Sequence, residues 1–268
     1  KKGETQADFS SRCIENLEQQ ILKEGPDTIA AFFAEPVMGT GGVIVPPETY
    51  FEKLQSVLKK YEILLVVDEV ICGFGRTGNY WGSQTYNIKP DMITCAKGLS
   101  SAYLPISALL VSDDIYQAMK EGSDKVGIFG HGYTYSGHPA CAAVALETLK
   151  QYEKLNTLDN IKAVAPRFQN GLRQYLNHPL VGDVRGVGLM GSIELVKDKE
   201  TKEGFDPSLM VGRKVEEFAL RHGLILRALG NILVFAPPFI IKDHEVEKII
   251  EIIGLALDET LAWHDNFA

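Results

Sequence analysis

The stretch Ile63-Leu64-Leu65-Val66-Val67-Asp68-Glu69 decides the fold. Five consecutive apolar residues, β-branched toward the end, are too few for a helix and read as a strand buried on both faces, as in parallel sheets. Two carboxylates then stand where that strand should end, and an unpaired ionised carboxylate in apolar surroundings is costly. A helix cap or a structural ion pair is one use for them. A ligand is the other, because open α/β sheets bind ligands beyond the carboxyl ends of their strands.

Working outward, Phe9, Cys13, Leu17 and Ile21 form one stripe of a helix that stops at Gly25-Pro26, and Ile29 to Val37 has strand length. Pro46-Pro47 opens a second helix with its stripe at Tyr50, Leu54, Val57, Leu58 and Tyr61. Met92 to Ala96 and Ile106 to Val111 read as strands, Pro139 to Leu149 as an Ala-rich helix, and Ile161 to Leu176 as another. Beyond about residue 180 the texture changes. Val181 to Val196 is a strand or hairpin that runs into the solvated charges 197–200, and Ser208 to His222 is a helix. Leu224–Arg227 and Ile232–Phe235 are short strands, and the last helix carries Val246, Ile249, Ile253, Leu257 and Leu261. The alternation predicts an α/β fold with a mostly parallel, doubly covered sheet over residues 1–150, a bridging helix over 151–180 and a small α+β domain over 181–268.

Composition narrows the function. The 268 residues carry 27 basic and 35 acidic side chains, a net charge of −8, without the basic footprint that nucleic acid requires. The longest stretch without Asp, Glu, Lys or Arg, Val126 to Leu146, contains four Gly, two His and a Pro, so no membrane span is expected. From the opening Lys1-Lys2-Gly3-Glu4 no secretory signal is expected. Cys13, Cys72, Cys95 and Cys141 are far apart and lack zinc-ligand spacing. They are read as reduced, buried thiols of a cytosol-like compartment, an organelle being the alternative.

Gly73-Phe74-Gly75-Arg76-Thr77-Gly78 fits G-x-G-x-x-G in form only. A dinucleotide site needs its first Gly directly after the strand and a helix after the third. Here Asp68 and Glu69 intervene, carboxylates repel a pyrophosphate, and Asn79-Tyr80-Trp81-Gly82 is a poor helix start. The second anomaly is Met92-Ile93-Thr94-Cys95-Ala96-Lys97-Gly98, an apolar strand ended by a lysine. Held in apolar surroundings, an amine loses its proton more easily and attacks carbonyls; a lone lysine would instead snorkel to water. Asp68 and Lys97 end different strands and could flank one cofactor. Pyridoxal phosphate requires that pair, a carboxylate on its pyridine nitrogen and an amine for its aldehyde.

Leu65 through Ala102 resembles the pyridoxal-phosphate attachment signature of class III (omega) aminotransferases. The resemblance runs through Asp68-Glu69-Val70, the Gly-x-x-Arg turn to Gly78, Asp91-Met92-Ile93 and Ala96-Lys97. Ala34-Glu35-Pro36-Val37, Gly39 to Pro47, Gly132 to Pro139 and Phe235-Ala236-Pro237-Pro238 are similar to family landmarks in the same order. The resemblance implies a fold type I enzyme. In it Lys97 attaches the cofactor and shuttles a proton between the substrate Cα and the cofactor, Asp68 pairs with the ring nitrogen, and Val70 packs on the ring. Thr134, with Tyr133, would reach the phosphate held by a neighbouring subunit, implying a homodimer; taken alone, Thr134 reads as a local turn bond.

Arg227 matches the arginine that clamps the substrate carboxylate in the amine–pyruvate branch, a task suited to its forked donors. A surface ion pair is the alternative. Ornithine-type relatives have an arginine directly before Phe-Ala-Pro-Pro, where this chain has Val234. The resemblance therefore implies transfer from an omega-amino acid or amine to pyruvate or glyoxylate. Family members also carry a long segment ahead of the point where this chain starts, with the Gly-Ser phosphate cradle and an aromatic that stacks on the ring. The chain is expected to be the C-terminal part of such an enzyme, inactive alone, and to aggregate or bind a complementary segment. A non-catalytic dimerising module, or an aminomutase or racemase of the same family, are the alternatives.

Overall fold

A computed structural model describes residues 3–265; Lys1-Lys2 and residues 266–268, the outer limits of the two expected domains, lie outside them. Two compact units emerge, divided near Leu155 and Asn156, and the second also takes in Val37–Val45 and Gly75–Gly78.

The first unit holds a four-stranded sheet of order β1-β2-β3-β4: Ala31–Ala34, Leu64–Asp68, Met92–Cys95 and Ala108–Val111. β1, β2 and β3 are parallel, and β4 closes the row antiparallel to β3. Helix α1 (Gln6–Glu24) starts at a capping box, Thr5 Oγ1 accepting from Asp8 N while Asp8 Oδ2 accepts from Thr5 N. It packs with α2 (Tyr50–Lys60) over Phe32, Leu65 and Val67 on one sheet face. The expected Pro46-Pro47 helix start lies outside α2, because Thr49 takes a left-handed φ of 63° and the helix begins after it.

Double cover is only partial in this chain. Val66 is buried on the second face, but Phe33 and Leu109, which the strand registers place on that same face, are 68% and 58% exposed. Two helices went unread in the sequence. α3 (Gly82–Thr85) is one turn, and α4 (Asp113–Val126) buries none of its residues. α5 (Pro139–Lys154) completes the unit. Over 151–180 the chain is not one helix but the end of α5, then α6 (Thr157–Arg173) and a short 3-10 turn.

The second unit is an antiparallel sheet of order β5-β6-β8-β7: Val181–Val187, Met190–Leu195, Ile232–Phe235 and Arg227–Leu229. Its core combines these strands with α6, α7 (Val211–Arg221) and α8 (Asp243–Asp265). The strand expected at Leu224–Arg227 begins only at Arg227, because Leu224 N is drawn to Ala219 O at the end of α7. Val181–Val196 is a hairpin with its turn at Gly188 and Leu189. None of the four cysteines is in a disulfide among the described residues; Cys72 and Cys95 are buried, whereas Cys13 and Cys141 are only half-buried. No helix among the described residues is long and apolar enough to cross a membrane.

Candidate active site

Parallel pairing places the two strand-end anomalies on one edge of the sheet. Asp68 is the register partner of Thr94, and Glu69 N donates to Thr94 O at 2.9 Å, so Lys97 leaves β3 just beyond the end of β2. The neighbouring carboxylates then divide their work. Glu69 is fully buried and accepts from Gly82 N at 2.8 Å and Ser83 N at 2.6 Å. Burial pushes its pKa up, opposed by those two N–H groups. This is the cap expected as one use of the pair, and it explains why α3 starts where Asn79 to Gly82 offer no local signal: its acceptor lies 13 residues upstream.

Asp68 is left for something else. It is half-buried, its Oδ1 accepts from Val70 N at 2.9 Å, and among the described residues its other oxygen has no protein partner. Lys97 likewise has no ion pair or hydrogen bond through its ammonium. The expected apolar enclosure of this amine is not present: Lys97 is exposed at the open edge. Its backbone is unusual, with φ at +38°. Gly98, next to it, must be glycine, because a Cβ there would lie 2.8 Å from the Phe74 ring.

Val70 is half-buried in the turn after Glu69. Tyr133 and Thr134 sit in a tight turn where Ser136 N donates to Tyr133 O and Tyr133 N donates to Ser136 Oγ. The local turn bond considered for Thr134 is therefore made by Ser136, and the exposed Thr134 hydroxyl is unbonded among the described residues. In the second unit, Arg227 is exposed and opens β7 directly opposite Val234 of β8. It forms no ion pair among the described residues, so the surface salt bridge considered for it is not made.

Sequence reading gave Arg76 no task. In the second unit Arg76 Nη1 donates to Leu189 O at 2.8 Å and Pro237 O at 2.7 Å, with its guanidinium 4.4 Å from the Phe239 ring centroid. Arg76 O in turn accepts from Leu189 N, and Gly188 must lack a side chain because a Cβ would lie 2.3 Å from Arg76 O. Arg185 plays a similar part for the 37–45 loop, with Nε donating to Gly42 O at 2.9 Å. The signals were present in sequence, an arginine inside a glycine-rich turn and paired Gly in a hairpin, but their partners lie more than a hundred residues away.

The residues present fit pyridoxal phosphate. Asp68 has an oxygen open to a ring N–H, Lys97 has an unpaired amine for an aldehyde, and both stand on the edge of adjoining parallel strands. The family model for class-III aminotransferases matches residues 1–257. Gamma aminobutyrate transaminase 1, mitochondrial, of Solanum lycopersicum is 48% identical over 258 residues, 96% of this chain and 50% of that protein. The probable gamma-aminobutyrate transaminase 3, mitochondrial, of Oryza sativa subsp. indica is 49% identical over 257 residues, again 96% of this chain and 50% of that protein. Among solved structures, an omega transaminase from Pseudomonas jessenii in complex with PMP superposes with a TM-score of 0.95 at 46% identity, over 97% of this chain and 58% of that one. A transaminase with L-ala gives a TM-score of 0.95 at 49% identity, over 98% and 62%. The chain thus spans about half the length of the curated relatives it matches.

Proposed function

The chain belongs to the class III aminotransferases, and on that premise we propose that it supplies the cofactor-attaching half of a pyridoxal-phosphate-dependent enzyme. The proposed reaction moves an amino group from an omega-amino acid or amine to a 2-oxo acid such as pyruvate or glyoxylate. The observation that carries the reading is the pair on the strand edge, Asp68 with an open oxygen and Lys97 with an unpaired amine. When bound, the cofactor supplies an electron sink for the substrate's Cα. Asp68 would hold the proton on the ring nitrogen, and Lys97 would hold the aldehyde and move the proton at the substrate Cα. Val70 gives one face of the ring an apolar neighbour. Arg227 takes the substrate carboxylate on its fork of donors. The names of the plant relatives make 4-aminobutyrate the first donor to try.

Thr134 and Tyr133, on an exposed turn, are proposed to serve the phosphate of a second copy, which makes the working unit a homodimer. Mitochondrial and chloroplastic relatives support an organelle as readily as the cytosol. The test is chemical. Borohydride reduction of the yellow protein followed by digestion should leave the adduct on Lys97, and K97A should give no yellow species. An adduct on another lysine refutes the assignment.

The exposed Lys97 and the open face at Phe33 and Leu109 favour a second reading for the 268-residue chain by itself, a folded module without turnover. A soluble preparation of this chain alone that transaminates 4-aminobutyrate and pyruvate would exclude it.

A further inference from the structure

The turn that presents Lys97 is tied from behind by a residue of α5. Tyr152 Oη donates to Gly98 O at 2.6 Å, a bond that spans 54 residues of sequence. The same ring stands 6.5 Å, centroid to centroid, from Phe74, and Phe74 is the ring against which Gly98 packs. Within the turn, Leu99 N donates to Ala96 O at 2.9 Å and Ser100 N to Lys97 O at 3.2 Å. Ser100, buried, donates its hydroxyl to Leu104 O at 2.6 Å.

Inside this frame Lys97 sits at φ +38°, a region that side-chain-bearing residues avoid. Such a conformation persists only where its surroundings over-determine it. The local bonds to Ala96 O and Lys97 O close the turn on itself, whereas the bond to Gly98 O, the carbonyl of the residue after Lys97, ties the turn to another element. α5 has little burial of its own, with Ala145 and Thr148 its buried residues, so its end is not held there by a core. The tyrosine hydroxyl is placed to carry that constraint.

We propose that Tyr152 is a positioning residue: through Gly98 O it holds Lys97 in its left-handed conformation, so that the amine is offered on the strand edge beside Asp68. The inference rests on the reading of Lys97 as the attachment lysine, although the clamp on the turn does not. Losing the hydroxyl lets the Lys97 backbone relax and redirects its Cα–Cβ bond. Capture of an aldehyde and proton transfer at Cα then slow, while binding of a carboxylate elsewhere is untouched.

The test uses the full protein with Y152F, and with Y80F as control. The Tyr80 ring also packs on Phe74, at 5.7 Å, but its hydroxyl has no bond among the described residues. Amide hydrogen exchange at Leu99 and Ser100 should accelerate roughly 2- to 12-fold in Y152F, the worth of one neutral hydrogen bond, and stay unchanged in Y80F. In protein loaded with pyridoxal 5′-phosphate, Y152F should shift the pH midpoint of the visible band. It should also lower kcat by roughly the same factor, leaving KM for the 2-oxo acid unchanged. Unchanged exchange overturns the clamp. Faster exchange with an unmoved pH midpoint and kcat makes Tyr152 merely structural and overturns the positioning role. A K97A protein that still develops the band removes the reading of Lys97, an outcome that the exchange data on unloaded protein keep distinct.

Discussion

In the second unit, α6, α7 and α8 pack on β5–β8, and Phe168, Leu172, Ile193, Leu233, Ile253 and Leu257 are fully buried. In the first, α1 and α2 close one face of β1–β4, while Phe33 and Leu109 stand 68% and 58% exposed on the other. Asp68 and Lys97 both belong to the unit whose own residues pack it least. A site on a sheet edge needs open atoms, an uncommitted oxygen and an unpaired amine, and a closed core provides neither. Stability and chemistry should therefore respond to different substitutions.

The largest effect expected is on stability. Phe168→Ala removes a fully buried ring from the second core and should cost about 3–5 kcal/mol in urea unfolding. Leu109→Ala, on the open face, should stay within about 0.5 kcal/mol. Comparable losses would mean that the open face is covered in solution, and the contrast between the units would fall.

Next is Arg76. Its guanidinium serves Leu189 O and Pro237 O, and hydrogen bonds from a charged group are worth about 1.5–3 kcal/mol. R76A should destabilise the second unit by about 2–3 kcal/mol, and R76K should recover only part of that, since an ammonium lacks the planar fork and the flat stacking on Phe239. Full recovery by lysine would show that charge alone matters there.

What could be read in the sequence follows the same division. The buried strand β2, its two acidic residues and the lysine ending β3 were legible because charge at the end of an apolar run is a local anomaly. The division of labour between Asp68 and Glu69 was not, since it depends on Gly82 and Ser83 arriving at Glu69. Helix α4 had its start and stop signals, Ser112-Asp113-Asp114 and Gly127, but none of its side chains is buried in a core. The inclusion of 37–45 and 75–78 in the second unit was illegible for another reason: Gly42, Arg76 and Arg185 meet partners that only the folded chain brings near.

The third effect tests the proposed role of Arg227. R227A should lower kcat/KM for pyruvate roughly 10- to 150-fold, the worth of a charge-assisted bond, and should barely alter an uncharged aldehyde acceptor. Because Val234 lies directly across the strand pair from Arg227, V234R in the R227A background tests whether a guanidinium on that patch suffices. Partial return of pyruvate use supports the carboxylate clamp. Equal loss for both acceptors makes Arg227 structural and leaves the chemistry wholly to the first unit.

The smallest effect separates the units by pH. His178 Nδ1 accepts from Leu180 N at 3.2 Å, while its Nε2 is buried without a hydrogen bond; Asp258 Oδ1 lies 3.4 Å away on a largely exposed side chain. Burial outweighs that attraction and holds the imidazole pKa below its ordinary value. The unfolded chain then binds a proton that the folded one refuses. The stability this group contributes is complete above the ordinary histidine range and is lost as pH falls through it. Glu69 works in the other direction: burial raises its pKa, the folded chain binds the proton more readily, and the first unit is relieved as pH falls toward the carboxylate range. From about pH 7.5 to about pH 5.5, across the ordinary histidine pKa, wild type should lose more thermal stability than H178Q. Carboxylates common to both proteins cancel in that difference. If the gap between their melting temperatures is the same at both pH values, His178 does not titrate on unfolding, and Asp258 rather than burial governs it.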